Sequence, residues 1–204
     1  MVEPSARSLE EPSQLHWQGP FPVKHRQYTI ALAFLLVVIS VLFALFAIAY
    51  HMRMMLGDWI ALPDPWQLWP NTAMLLISSI AFEIANRALR KQQFNRCRSA
   101  WLVGQLCAWT FLCGQLWVWQ LLRDQGYYLA SNPANSFFYL LTGLHAAHLL
   151  VGLALWLSSV GLLRSVDNVT HALTAKHHRF GLYTIYWHYL FIVWLGIFVL
   201  FLTS

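Results

Sequence analysis

Charge is what this sequence has least of. Of its 204 residues, 13 are Lys or Arg and 8 are Asp or Glu, 10% in all, where a soluble domain carries about 25%. That is too few ionisable groups to cover a water-soluble globule of this size, and too much apolar residue for a disordered chain. The formal net charge is +5, yet the basic residues sit in short blocks between long apolar runs. That pattern belongs to a membrane protein and excludes a nucleic-acid-binding face. Cysteine is scarce as well: Cys97, Cys107 and Cys113 form no CxxC, which argues against a disulfide framework and against a zinc or iron–sulfur site. Walker A, GxSxG, HExxH and the Rossmann glycine fingerprint are all missing. Matched Pro/Gly-interrupted spans, the mark of an inverted-repeat transporter, are missing too. No self-sufficient active site is legible, and no residue is assigned a catalytic, metal-binding or cofactor-binding role.

What is present is apolar length. The composition is 58% hydrophobic and 16% aromatic, and a bilayer crossing needs about 20 mostly apolar residues. Five segments qualify: 28–50, 70–88, 100–122, 137–163 and 181–202. Only the second holds an acid, Glu83. Alternating ten-residue strands are absent, so a barrel is excluded and the expectation is an all-α, polytopic membrane bundle of five transmembrane helices. With a cytoplasmic N-terminus, Arg7, Lys24, Arg26, Arg87, Arg90, Lys91, Arg96, Arg98, Arg164, Lys176 and Arg179 fall inside, and only Arg53 and Arg123 outside. This asymmetry places the C-terminus outside. Residues 1–27 read as a polar cytoplasmic arm and 28–204 as the membrane domain. The first run is too long for a signal-peptide core and is expected to be a retained span. Trp59, Trp66 and Trp69, among Pro63, Pro65 and Pro70, read as an aromatic belt before the second span. Asn132-Pro133 reads as a turn before the fourth.

Ionisable groups inside spans are costly and are therefore the candidate sites. Glu83 has Arg87 at i+4, on one helix face. An interfacial ion pair and a buried proton-exchanging carboxylate both remain open. His145 and His148 share a face of the fourth span one turn apart, and His188 lies in the fifth. Their expected role is structural, as neutral histidines hydrogen-bonded between helices. The alternative is a haem b redox protein held by His148 and His188, although their depths match imperfectly at 1.5 Å per residue. Asn71 is a further candidate polar contact at the start of the second span. Lys176-His177-His178-Arg179 is a lipid-headgroup patch, and His16 and His51 lack any ligand pattern.

Three stretches resemble the subunit III family of haem-copper respiratory oxidases. They are Pro65-Trp66-Gln67-Leu68-Trp69-Pro70-Asn71-Thr72 with Ser78-Ser79, then Phe137-Phe138-Tyr139 through Thr142-Gly143-Leu144-His145-Ala146-Ala147-His148, and finally Tyr186-Trp187-His188 with Val193-Trp194. Their order and spacing are similar to the family's from Tyr28 to the C-terminus, in its five-helix bacterial form. The resemblance implies a non-catalytic accessory subunit in the bacterial inner (plasma) membrane, with no cofactor of its own. The haems and copper would reside in partner subunits I and II. The chain would pack beside subunit I, hold phospholipid, and support proton uptake and durability during aerobic respiration. Three acids common in the family are replaced, by Ser40, Gly181 and Phe191. The resemblance leaves the electron donor, cytochrome c or quinol, open.

Overall fold

A computed structural model describes residues 23–57, 59–60, 66–164 and 170–203, with side chains for those between 26 and 155 and between 178 and 203. Among the described residues there is no strand. Five helices account for nearly all of them: α1 (Val23–Met54), α2 (Leu68–Arg90), α3 (Phe94–Asp124), α4 (Pro133–Arg164) and α5 (Thr170–Leu202). All five are long and apolar enough to cross a membrane. Each runs past the segment expected from hydropathy, because a helix continues into the interfacial layer for as long as its backbone is satisfied. The expected arm, residues 1–27, lies outside the described residues as far as 22. Its last five residues, 23–27, already belong to α1. Pro63, Pro65, Lys176 and His177 also lie outside the described side chains.

The helix ends show why the chain turns where it does. At the end of α2, Gln93 N donates to Ala88 O (2.9 Å) and Gln92 N to Leu89 O (3.0 Å), the paired bonds of a Schellman cap. This cap demands a left-handed residue, and Gln92 supplies it at φ 56°. The same cap ends α3, where Tyr127 N reaches Leu122 O (2.9 Å) and Gly126 N reaches Arg123 O (3.0 Å), with Gly126 at φ 89°. At the start of α4, Asn132 Oδ1 accepts from Ala134 N (3.2 Å), and Pro133 opens the helix where its missing N–H costs nothing. Asn132 Nδ2 also donates to Ile60 O (2.5 Å), tying the two loops at this end of the bundle together.

Packing is uneven. Only 11% of the most apolar window of α1 is buried, against 44% in each of the other four helices. Phe34, Val37, Val41, Leu45, Ile48 and Met52 point away from the bundle. The α2–α3 hairpin is the closest pair. A Cβ on Gly104 would stand 2.9 Å from the ring of Phe82, and one on Gly114 would strike Asn71 Oδ1. Such small residues let helix backbones approach where lipid offers no hydrophobic drive for association. α5 is the hub, with side chains that reach all four other helices.

The contrast between the two Schellman caps gives a test. A non-glycine residue in the left-handed region costs about 1 kcal/mol or more, and the exposed side chain of Gln92 does nothing visible to offset it. Gln92→Gly is expected to raise stability by about 0.5–1 kcal/mol, read as an upward shift in Tm of the detergent-solubilised protein. An unchanged or lower Tm would show that the turn is not strained.

Candidate functional site

Indole N–H groups buried in an apolar bundle are costly without acceptors, and neither lipid nor water supplies them there. On α5 they find these acceptors along one stripe of hydroxyls on α2. Trp194 Nε1 donates to Thr72 Oγ1 (2.9 Å), and Trp187 Nε1 donates to Ser78 Oγ (3.0 Å). His188 Nδ1 lies 2.5 Å from Ser79 Oγ. Thr72 and Ser78 pass the bond on, to Leu68 O (2.8 Å) and to Gly104 O on α3 (2.8 Å). Thr72 and Ser79 are seven apart, as are Trp187 and Trp194, which puts each pair on one helix face two turns apart.

At one end this seam becomes charged. Glu83 Oε1 accepts from Arg87 Nε at 2.7 Å, while its Oε2 lies 3.4 Å from His188 Nε2. The helical i+4 pair and the interhelical contact therefore coexist on one carboxylate. Arg87 is 72% exposed, Glu83 32% and His188 37%, so the cluster opens on the bundle surface at the end where α2 passes into α3 through Arg90, Lys91, Arg96 and Arg98.

The other candidate residues go elsewhere. Asn71 Nδ2 donates to buried Gln115 Oε1 on α3 (3.2 Å). His145 is fully buried, with ring contacts to Trp194 (5.2 Å) and Phe111 (6.0 Å). Neither of its ring nitrogens has a hydrogen-bond partner. His148 bonds through Nδ1 to Leu144 O of its own helix (2.8 Å) and faces Phe43 of α1 (5.8 Å). The expectation that both α4 histidines hydrogen-bond across helices is thus corrected. One packs as an aromatic, because its surroundings are rings, and the other turns back onto its own backbone. The interhelical bond at this level comes instead from Tyr186, whose hydroxyl donates to His148 O (3.0 Å). The polar face of α4 is buried within the bundle, with Asn135, Thr142 and His145 all shielded. His148 contacts α1 while His188 contacts α2, so the two do not face each other as haem ligands would. Among the described residues, no group of three or more His, Cys, Asp or Glu comes together that could hold a metal ion.

Two features escaped sequence reasoning. Tyr189 OH lies 2.7 Å from Ser40 Oγ and donates to Leu36 O (3.1 Å), linking α5 to α1 in mid-span. Beside this pair runs a groove of about 340 Å³ between α1, α4 and α5, walled by Phe43, Ala44, Ala47, Leu141, Gly196 and Leu200 among others. The other is the hydroxyl stripe itself. Its signal was the shared seven-residue spacing of Thr72/Ser79 and Trp187/Trp194, which only pairs up once α2 and α5 are known to be neighbours.

The family model for cytochrome c oxidase subunit III matches residues 27–203. The chain belongs to that family. Its curated relatives include cytochrome c oxidase subunit 3 of Thermostichus vulcanus, 27% identical over 64% of this chain and 62% of the relative. That of Glycine max is 30% identical over 71% of this chain and 51% of the relative. A probable cytochrome c oxidase subunit 3 of Nocardia farcinica is 28% identical over 70% of each chain. The match takes in no more than 62% of the length of the first two relatives. Five spanning helices in a subunit III family member make this a multi-pass membrane protein.

The seam gives a test of what binds this subunit III fold together. Thr72→Val would leave the buried Trp194 N–H without its acceptor. Interhelical bonds in membranes average about 0.6 kcal/mol in double-mutant cycles, with a maximum near 1.7. The expected coupling between Thr72→Val and Trp194→Phe is about 0.5–1.5 kcal/mol by reversible unfolding in detergent or bilayer. Additive effects would remove the bond from the account.

Proposed function

We propose that this chain serves as subunit III of a haem-copper terminal oxidase, a non-catalytic companion of the electron-carrying subunits. The observation that carries this reading is the family match across residues 27–203, which takes in every described helix but the first residues of α1. In this reading the chain packs beside subunit I in a complex that includes subunit II. Haems and copper stay with those partners, and this subunit supports proton uptake and stability during oxygen reduction. The proposed setting is a bacterial inner membrane, with residues 1–27 as a cytoplasmic arm, 28–204 as the membrane domain, and the C-terminus outside.

The poorly covered face of α1 supports a role as a companion subunit, since one helix with an apolar flank has room for either lipid or a larger membrane partner. The groove between α1, α4 and α5 supports phospholipid binding. Its walls are almost wholly apolar, and its volume falls in the range of small-ligand pockets, about 300–1,000 Å³, enough to take part of an acyl chain. Glu83, Asn71, His145, His148 and His188 act here as packing and polar contacts, not as ligands. The separate orientations of His148 and His188 count against the haem b reading.

Two measurements check this. In mild detergent the chain is expected to elute with the larger oxidase subunits. Elution alone, while the remaining core is complete and fully active, would overturn the proposal. His148→Leu removes a side chain bonded only to its own helix and packed on Phe43, so it is expected to reduce the yield of assembled complex. The rate of oxygen consumption per assembled complex should stay within about twofold of wild type, a difference of under 0.5 kcal/mol in barrier. A fully assembled but inactive complex would place His148 in the electron path.

A further inference from the structure

At one level of the bundle a ring of side-chain contacts runs round four helices and is open at one place. Asn71 and Thr72 are adjacent on α2. Asn71 Nδ2 donates to Gln115 Oε1 on α3 (3.2 Å), and Thr72 Oγ1 accepts from Trp194 Nε1 on α5 (2.9 Å). The ring of Trp194 lies 5.2 Å from that of His145 on α4. The opening falls between Gln115 and His145. These two side chains also carry nitrogens that no protein atom satisfies. Gln115 Nε2 and both Nδ1 and Nε2 of His145 are enclosed without a hydrogen-bond partner, on residues only 1% and 0% exposed.

The register of α3 against α4 sets the two side chains opposite each other. Trp119 Nε1 donates to Thr142 Oγ1 (3.0 Å), and the ring of Phe111 meets that of His145 at 6.0 Å. Going down α3 from Trp119 to Phe111 therefore matches going up α4 from Thr142 to His145. Phe111, Gln115 and Trp119 are four apart and share one face of α3, as Thr142 and His145, three apart, share one face of α4. Gln115 stands midway between the two contacts and faces the turn of α4 that runs from Thr142 to His145.

We infer that Gln115 and His145 hold a buried water molecule that joins α3 to α4. A polar atom enclosed this deeply keeps the full penalty of losing its solvent unless something pairs with it. Aromatic packing accounts for the faces of the imidazole but not for the nitrogens in its plane, and a phenylalanine would pack as well. The chemistry of the free atoms selects the ligand. The oxygen of Gln115 is taken by Asn71, so its free end offers only N–H donors, while a neutral imidazole offers one donor and one bare lone pair. A metal cation finds a single lone pair here, and an anion finds no charge to hold it. A small neutral molecule that both accepts and donates fits, and water does both: it accepts from Gln115 Nε2 and donates to the unprotonated ring nitrogen. Buried waters characteristically bridge polar groups that the protein leaves unpaired. This one closes the ring through α2, α3, α4 and α5, one turn from the Trp119–Thr142 bond. It also accounts for a histidine at a position whose other neighbours are aromatic rings.

Two measurements test this. Electron cryo-microscopy of the membrane assembly that contains this chain, at a resolution that shows ordered water, is expected to place a peak about 2.7–3.2 Å from Gln115 Nε2 and from one ring nitrogen of His145. A direct Gln115–His145 bond, or both side chains resolved with nothing between them, would overturn the inference. The second measurement is a double-mutant cycle on the full chain by reversible unfolding in detergent. His145→Phe keeps an aromatic ring and removes the nitrogens. Gln115→Leu removes the amide, and its lost bond to Asn71 cancels in the cycle. The expected coupling is about three- to tenfold in the unfolding equilibrium constant, the scale of interhelical hydrogen bonds in membranes. Additive effects of the two substitutions would overturn the bridge. Where a variant fails to fold, the density between the two wild-type side chains decides alone.

Discussion

The fold depends on one interaction: the buried indoles of α5 meet hydroxyl acceptors on α2. α5 carries two such donors toward α2, on Trp187 and Trp194, and α2 answers with Ser78 and Thr72, while His188 pairs with Ser79 beside them. Between lipid-soluble helices there is no hydrophobic gain to set the register. Sliding α5 along α2 by one turn would unpair two buried indoles at once, and their desolvation makes that arrangement costly. The hydroxyls also bond onward, Thr72 to Leu68 O and Ser78 to Gly104 O, so the α2–α5 seam continues into the α2–α3 contact. There the missing side chain of Gly104 admits the ring of Phe82. From this frame α4 and α1 follow, held to α5 by Tyr186 and Tyr189.

The five helices were legible because membrane crossing imposes length and apolarity on contiguous sequence, a local property. What holds them together was not, because it depends on which faces meet. Glu83 shows the boundary well. Its bond to Arg87 is an i+4 relation within one helix and could be read directly. Its contact with His188 joins residues 105 apart and could not. The α4 histidines failed for the opposite reason. Their polarity pointed to hydrogen bonds, but His145 is enclosed by Phe111 and Trp194 and behaves as one more aromatic ring. Identity as a histidine says what a side chain can do, while its neighbours decide which of those things it does.

Polar residues of the α2 seam divide into two kinds of work. Thr72, Ser78 and Asn71 bond to neighbouring helices within the bundle, to Trp194, Trp187 and Gln115. Glu83 and His188 are built from the same seam but lie where it reaches the surface. One stripe of residues therefore locks the bundle along most of its length and becomes chemically available only at its arginine-rich end. A site made this way is rigid, because its imidazole is positioned by the same α2–α5 register that the two tryptophans enforce.

The link between α1 and α5 shows how such a seam tolerates change. Ser40 stands where the family resemblance leads one to expect an acid, and Tyr189 where it leads one to expect Phe. The two are in contact, with oxygens 2.7 Å apart. Each departure alone would be awkward: a short hydroxyl leaves space at the α1–α5 boundary, and a phenol there needs a partner in an apolar setting. Together the larger phenol reaches the smaller serine, and both bond to Leu36 O. A neutral pair thus spans the gap without a charge in mid-span, where an unpaired carboxylate would be costly. With Ser40 so occupied, the described spans keep two acids, Glu83 in α2 and Asp124 at the end of α3.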